Sequence, residues 1–179
     1  MSELRQAMEE RLAQAYTAYF DVERVDKAPM YAVCSYHSRS SQYVLVKSAE
    51  LWAAENHEYL YLYSLPRLDT AAANAIMDGV IADGEPRIRP HPQHMYTHLT
   101  AVVLCDQIAP EVPAHLNTLK KRRDYKLSLH GWMEFRIAAV DLSTGEIFTN
   151  RSGKTLIRDL HGFVEKQIQN FHKGEEKPK

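Results

Sequence analysis

The stretch Tyr43–Tyr63, YVLVKSAELWAAENHEYLYLY, holds more aromatic and aliphatic side chain than any other stretch of similar length. An apolar run at Tyr43–Val46 and an alternating run at Tyr59–Tyr63 flank a segment around Trp52, for which we predict a short helix over Ala49–Ala54. Apolar runs of this kind are stable only when they leave water. We therefore expect this stretch to form the middle of the fold, although it contains no catalytic signature.

Upstream of this stretch, the sequence predicts one helix and a first hairpin. Apolar residues repeat at helical spacing over Glu3–Tyr19. Met30–Tyr36 is typical of a strand, His37–Ser41 of a turn, and Gln42–Val46 of the returning strand. Together with the run at Tyr59–Tyr63, this gives three successive strands, which favours a meander of hairpins.

Downstream, Asp69 is placed to cap a helix that runs to about Ala82, with Gly84 where a C-terminal glycine is common. The following segment, Gly84–Leu99, contains three prolines, which exclude a regular helix and predict a long loop. Thr100–Cys105 is a continuous apolar run of β-branched and aliphatic residues and is typical of a buried central strand.

The last part of the chain alternates between helical and strand-like patterns. We predict a helix over Pro110–Arg123, ending in four cations, and a long strand over Lys126–Asp141. A turn then leads to a returning strand at Glu146–Thr149, and Ser152 is placed to cap the final helix. The element order αβββαβαββα predicts an α/β (α+β) fold in which helices flank a mixed β-sheet.

Length and composition fit one globular domain. The chain has 179 residues, of which 45% are hydrophobic and 25% charged, enough to close a single core. We assign residues 1–171 to this domain and expect the polar tail at 172–179 to be disordered. The two cysteines, Cys34 and Cys105, lie inside apolar runs and are expected to be small buried hydrophobic residues without a disulfide framework.

Charge and hydropathy narrow the class of partner. Twenty-two basic and 23 acidic side chains give a net charge of −1, which does not favour nucleic acid or an anionic membrane as a partner. The N-terminal segment lacks the pattern of a signal peptide, and no apolar run approaches the roughly 20 residues needed to span a bilayer. We therefore expect a cytoplasmic location and no membrane association.

The predicted loop contains His91, His94 and His98 in the spacing H-x2-H-x3-H. Imidazoles at such spacings can converge on Zn²⁺ or another transition metal, and His94 and His98 would share a face if they began a helical turn. The alternative is an exposed polar loop. Arg87 and Arg89 lie in the same segment and would add positive charge for binding an anion.

A second candidate site is the polar segment Glu55–Glu58, where Glu55 and Glu58 flank His57. These groups are suited to acid–base chemistry and, through the carboxylates, to binding Mg²⁺ or Mn²⁺. Asp106 directly follows the apolar strand, at a strand end of the kind where ligands collect in open parallel sheets. The alternative interpretation of Glu55–Glu58 is a polar turn that reverses the chain.

The element order over Glu3–Cys105, helix–strand–strand–strand–helix–strand, resembles the core of restriction-endonuclease-like (PD-(D/E)xK) nucleases. The resemblance implies a divalent metal and phosphodiester cleavage, with a carboxylate near the start of the second strand and an acid-x-lysine on the third. Glu58 matches the acid of the third strand. The second strand starts with Gln42-Tyr43, and leucine occupies position 60, where the pattern has lysine.

Two function classes follow from these observations. The first is a binding protein without catalytic machinery, whose ligand is a protein partner, a second copy of the chain in a homodimer, or a small anion. Tyrosine is frequent, and alternation along the strands is expected to turn some tyrosines outward, as at an interface: Tyr43, Tyr59, Tyr61 and Tyr63. The second class is a metal-dependent hydrolase or nuclease that uses Glu55, His57, Glu58 and Asp106.

Overall fold

The computed structural model describes the backbone of residues 2–43 and 50–175 and the side chains of residues 2–38, 55–171 and 173. Two short 3-10 helices lie at Glu85–Arg87 and Arg151–Gly153. The other elements, in chain order, are α1 Glu3–Tyr16, β1 Asp21–Lys27, β2 Met30–Tyr43, β3 Glu50–Leu68, α2 Thr70–Gly84, β4 His94–Ile108, α3 Val112–Leu116, β5 Arg122–Asp124, β6 Trp132–Asp141, β7 Ile147–Thr149 and α4 Lys154–Glu175.

The strands form one mixed seven-stranded sheet in the order β1-β2-β3-β4-β6-β5, with β7 also paired to β6. The parallel pairs are β3–β4 and β4–β6, at the centre, whereas β1, β2, β5 and β7 pair antiparallel with their neighbours. Helices lie on both sides of the sheet. The predicted α+β class with a mixed sheet is therefore confirmed.

The sheet has two buried faces, and successive residues of each strand alternate between them. On one face, α2 and α3 cover side chains that include Tyr61 and Leu99, and we call this the α2 face. On the other, α1 and α4 cover side chains that include Leu60 and Val102, and we call this the α1–α4 face. Because both faces are covered, the central strands have continuous apolar sequences.

The expectation that some tyrosines of this stretch point outward is not met by Tyr61 or Tyr63 of β3. Tyr59, Tyr61 and Tyr63 are two residues apart, so alternation places all three on the α2 face. Tyr61 is fully buried, Tyr63 is 7% exposed, and Tyr59 packs at the edge of the same core. Tyr61 and Tyr63 are therefore core residues and not part of an exposed interface. The side chain of Tyr43 lies outside the described residues.

The predicted short helix over Ala49–Ala54 is also wrong where the structure describes it, because Glu50 onward belongs to β3. The turn predicted at His37–Ser41 is absent as well, since β2 and β3 pair from Met30↔Tyr63 to Tyr43↔Glu50. In this long hairpin, cross-strand pairing overrides the local helical and turn preferences of the sequence. The rest of the predicted strand Gln42–Val46 falls on residues 44–46, outside the described part.

Three further boundaries differ from the sequence prediction. The polar segment 21–27 forms the edge strand β1, which needs to bury few of its side chains. The helix predicted over Pro110–Arg123 is reduced to α3, and its last two cations lie in β5 instead. The strand predicted from Lys126 begins at Trp132, because residues Lys126, Leu127 and Ser128 have positive φ values of 46°, 53° and 66° and form a turn.

Of the three residues predicted to end or cap helices, Asp69 has the predicted role, whereas Ser152 and Gly84 do not. The Asp69 side chain accepts a hydrogen bond of 2.8 Å from the Ala72 N–H, which confirms its role as a cap. Asn150, and not Ser152, caps the 3-10 turn before α4, since its side chain accepts from the Gly153 N–H at 2.9 Å. Gly84 has a helical φ of −80°, and its missing side chain instead leaves space for Leu99, which a Cβ would approach to 2.6 Å.

The remaining predictions of central elements are confirmed. The run Thr100–Cys105 lies in β4, between β3 and β6, and is buried. The β6–β7 hairpin pairs Val140 with Ile147. Cys34 and Cys105 are fully buried free thiols. Within the described residues, no helix is long and apolar enough to cross a membrane.

Candidate functional site

A largely buried ion pair, with side chains 11% exposed at Arg136 and 19% exposed at Glu58, lies on the α1–α4 face, across the three central strands. Glu58 of β3, Thr100 of β4 and Arg136 of β6 point to this face from adjacent strands. The Thr100 hydroxyl donates to Glu58 Oε1 at 2.8 Å and accepts from Arg136 Nε at 3.2 Å. Arg136 Nη2 also donates to the same Glu58 oxygen. We call Glu58, Thr100 and Arg136 the polar floor.

A cavity of about 470 Å³ opens above the polar floor, between α1 and α4. Its walls are mostly aliphatic and aromatic, and Tyr16 and Phe20 meet there edge-to-face with ring centroids 5.3 Å apart. The apolar wall residues of this α1–α4 pocket are Leu12, Tyr16, Phe20, Leu156, Leu160 and Phe163.

The polar floor has hydrogen-bonding capacity left over. Both bonds to Glu58 end on Oε1, and the bonds from Arg136 leave from Nε and Nη2. Among the side chains that the structure describes, Glu58 Oε2 and Arg136 Nη1 have no hydrogen-bond partner. Arg136 is 9% exposed, so a guanidinium with an unused donor lies at the base of an apolar pocket.

Burial and the floor charges perturb nearby titratable groups. The pKa of Tyr16 is raised, first by burial and then by the negative charge of Glu58. His98 lies on the same face, beside Arg136, and its pKa is lowered from 6.5 to about 4 by burial and then by the Arg136 charge. The His98 ring packs against Tyr96, with centroids 4.6 Å apart and the ring planes tilted by 33°. This imidazole is therefore neutral at physiological pH.

A different polar group lies on the α2 face, at the same end of the sheet. His57 contacts the His37 ring at 4.9 Å and stacks on the His94 ring at 5.9 Å. His91 Nε2 lies 3.1 Å from Glu55 Oε2. We call His37, His57, His91, His94 and Glu55 the histidine cluster. It contains four of the nine histidines of the chain.

Hydrogen bonds within the histidine cluster involve many of its ring nitrogens. The Nδ1 atoms of His37 and His57 are 2.8 Å apart, and His94 uses both nitrogens, on the His130 carbonyl at 2.7 Å and the Thr97 hydroxyl at 2.9 Å. Burial, then the neighbouring His37 and His94, lowers the pKa of His57. Within the described side chains, no three histidine, cysteine or acidic groups are arranged to hold a metal ion.

Comparison with known proteins gives a family. The model of a domain of unknown function (DUF8052) matches residues 5–161, which include the polar floor, the pocket walls except Phe163, and the histidine cluster. The chain belongs to the DUF8052 family. No curated protein and no solved structure matches it. The family match carries no statement of activity, so the function has to be argued from the site itself.

In this DUF8052 domain, the four predicted catalytic residues do not come together. Glu55 and His57 are on the α2 face, whereas Glu58 is on the α1–α4 face, since alternation separates neighbours along β3. Asp106 lies eight positions beyond His98, the pairing partner of Glu58, and is therefore about 26 Å away along β4. Asp106 Oδ2 instead lies 3.2 Å from Arg5 Nε of α1.

The predicted zinc ligands of the DUF8052 domain are likewise divided. A bulge at the start of β4, where Glu55 pairs with His94 but Asn56 pairs with Tyr96, shifts the alternation by one residue. His94 therefore shares the α2 face with His91, at a ring distance of 6.3 Å, and His98 faces α1 and α4. His94 and His98 belong to a strand, not to the predicted loop or a helical turn.

Sequence reasoning missed Arg136, the residue that defines the pocket. It is a single cation inside the run Phe135–Val140, which is otherwise apolar and buried. A charge inside a buried strand must be paired, because an isolated buried charge is strongly unfavourable. That signal was available in the sequence. The identity of its partner was not, because Glu58 is 78 positions away along the chain.

Proposed function

We propose that this DUF8052 domain is a small-molecule-binding protein whose ligand occupies the α1–α4 pocket above the polar floor. The observation that carries this proposal is the combination of an apolar cavity with a buried ion pair at its base, Glu58 and Arg136, that has unused hydrogen-bonding atoms. Ligand pockets in proteins commonly have this composition, with apolar walls and a few fixed polar groups.

Size and chemistry support a ligand in this pocket. A volume of about 470 Å³ is in the range of pockets that bind small organic molecules. A buried ion pair contributes little to stability compared with apolar residues of the same volume. The presence of Arg136 and Glu58 below a cavity is therefore better explained by recognition of a ligand than by stabilisation of the core.

The positions of the carboxylates favour binding over the metal-dependent hydrolase or nuclease suggested by the sequence. Glu58 already accepts hydrogen bonds from Arg136 and Thr100, and Asp106 interacts with Arg5 at the far end of β4. Two carboxylates that bind one divalent ion must lie within a few ångströms of each other. No geometric observation therefore favours the resemblance to nucleases.

We also propose that the protein works in the cytoplasm. Its two thiols lie on opposite faces of the sheet, Cys34 against α1 and α4 and Cys105 against α2 and α3. They are separated by the sheet itself and remain free. A protein without disulfides suits a reducing compartment.

The experiment is a binding measurement with a variant that fills the pocket. Nile red, an uncharged dye that fluoresces in apolar surroundings, should bind the wild-type protein saturably. Ala15→Trp places a large ring at the pocket wall from an exposed position on α1 and should abolish this binding. Ala71→Trp, at an exposed position on α2, is the matched control and should bind the dye as the wild type does.

The dye should also stabilise the fold. A ligand at 100 times its dissociation constant raises the free energy of unfolding by about 2.7 kcal/mol. This increase should appear in thermal unfolding of the wild type and of Ala71→Trp, but not of Ala15→Trp. Equal dye binding by the two variants, or no saturable binding by the wild type, would contradict the proposal.

A further inference from the structure

The polar floor presents one unused donor and one unused acceptor to the pocket. The donor is Arg136 Nη1 and the acceptor is Glu58 Oε2, and neither has a hydrogen-bond partner among the described side chains. Both residues line the cavity, and Arg136 is 9% exposed. Neither atom is itself buried, because the buried side-chain atoms without a partner in the described residues are Arg5 Nε, Tyr31 Oη and Asn56 Oδ1. Both atoms are therefore accessible to a ligand, and a hydrogen bond to a charged group is among the stronger ones.

The charges of the floor cancel. Arg136 contributes one positive charge and Glu58 one negative charge, in direct contact through Nη2 and Oε1. The other charged residue on the pocket wall, Asp159, has a side chain that is 60% exposed and lies 3.4 Å from Arg158, so solvent screens it. The base of the pocket is therefore polar but has no net charge to attract an ion.

A charged head group would meet a repulsive partner at this floor. A carboxylate that accepts from Arg136 would approach the carboxylate of Glu58, and an ammonium that donates to Glu58 would approach the guanidinium. In an apolar pocket such like-charge contacts are poorly screened, and the desolvation of an ion is not compensated. An uncharged group with a carbonyl oxygen and an N–H, as in a carboxamide, can bond to both residues at once.

We infer that the ligand of the α1–α4 pocket is an uncharged molecule with an apolar body and a carboxamide-like group, whose oxygen accepts from Arg136 and whose N–H donates to Glu58. This inference rests on the proposed function and adds the chemical class of the ligand. An uncharged ligand is inferred here in place of the small anion suggested by the sequence. An anion would need the positive charge of Arg136, and Glu58 already neutralises that charge.

The test compares three probes that share one apolar body: octanamide, octanoate and octylamine. Their affinities for the wild-type protein are measured by calorimetry at neutral pH, where the second carries a negative and the third a positive charge. Octanamide should bind at least about tenfold more tightly than either charged probe, the factor expected for a hydrogen bond to a charged group.

Charge-removing variants should change this preference in opposite directions. Glu58→Gln leaves Arg136 uncompensated, so octanoate should become the tightest of the three probes. Arg136→Met leaves Glu58 uncompensated, so octylamine should become the tightest, with circular dichroism to verify that the variant is folded. Glu85→Gln, which removes a carboxylate paired with Arg123 on the other side of the sheet, is the control and should keep the wild-type order.

The outcomes separate this inference from the proposed function. Three probes of equal affinity, or a wild-type preference for octanoate or octylamine, would overturn the carboxamide assignment and leave binding in the pocket intact. An unchanged order in Glu58→Gln would also overturn it. Failure of all three probes and of nile red to bind would overturn the proposed function itself.

Discussion

Glu58 and His57 are neighbours on β3, but they lie on opposite faces of the sheet and have different surroundings there. Glu58 is held on the α1–α4 face by Arg136 and Thr100, below apolar helices. His57, one position earlier, is on the α2 face between the exposed ring of His37 and the buried ring of His94. The partners available on each face therefore decide what a polar side chain of β3 does. On the α1–α4 face the acid is held in an ion pair, whereas on the α2 face the imidazole contacts other imidazoles.

Breaking the ion pair should have the largest effect on stability. Arg136→Met removes the cation and leaves the Glu58 carboxylate under α1 and α4 without its partner. Losing one member of a buried pair typically costs about 3–5 kcal/mol, because the remaining charge is not compensated. Urea unfolding should therefore show a loss of this size in the free energy of unfolding.

An exposed ion pair on the other side of the sheet provides the control for this substitution. Arg123→Met removes the partner of Glu85, at 3.2 Å, from a pair in which the arginine side chain is 59% exposed. We expect a loss below about 1 kcal/mol, since exposed pairs contribute little. If Arg136→Met and Arg123→Met lost equal free energy of unfolding, the cover of α1 and α4 would not make the ion pair beneath them more important to stability than the exposed pair.

His98 should make the stability of the α1–α4 face depend on pH. Its pKa in the folded protein is about 4, lowered from 6.5 by burial and then by Arg136. Between these values the unfolded chain binds a proton that the folded protein does not, so stability increases with pH. The stabilisation is fully present above about pH 6.5 and decreases as pH falls toward 4, by up to about 3 kcal/mol.

The free energy of unfolding, measured in urea at several pH values across this range, tests the prediction. His98→Gln should remove most of the pH dependence, while His161→Gln, at an exposed position on α4, should retain it. If the free energy of unfolding of His98→Gln depended on pH as steeply as that of the wild type, other groups would have to cause the pH dependence. The comparison with Arg136→Met is informative too, because removing the neighbouring cation should raise the pKa of His98.

The layered fold and its centre were predictable because they depend on local signals. The apolar run at Thr100–Cys105 can be stable only as a buried strand, and Asp69 caps its helix through a contact three residues away. The extent of β2 and β3 was not predictable in this way, because it depends on pairing between the two strands. Pairing partners are set by tertiary structure, which no short window of sequence contains.

The site was less predictable than the fold for a related reason. The sequence indicates Glu58 as a candidate catalytic residue. Its partner Arg136 is 78 positions away along the chain, and the pocket above both residues forms only when α1 and α4 pack on the sheet. Spacing in the sequence groups the three histidines of the predicted loop. In the structure, the bulge at the start of β4 shifts the alternation by one residue, so His94 and His98 lie on opposite faces. The composition of the segment does not predict this bulge.

His57 of the histidine cluster should give a weaker pH dependence than His98. Burial, His37 and His94 lower the pKa of His57, and Glu55 acts in the opposite direction. The sign is the same as for His98: stability is fully present above about pH 6.5, the ordinary pKa of histidine, and decreases as pH falls below it. Unfolding of His57→Gln should therefore depend on pH less steeply than that of the wild type, by less than His98→Gln changes it.

The smallest effect is expected at the partly exposed pair of His91 and Glu55. His91 lies at 3.1 Å from Glu55 but its side chain is 36% exposed, so the pair is well screened by solvent. His91→Gln should change the free energy of unfolding by less than about 0.5 kcal/mol, as is usual for ion pairs at the surface. A loss above about 1 kcal/mol in urea unfolding at neutral pH would mean that the histidine cluster is a structural unit like the polar floor. The contrast between an ion pair held under helices on one face and weakly coupled imidazoles on the other would then no longer hold.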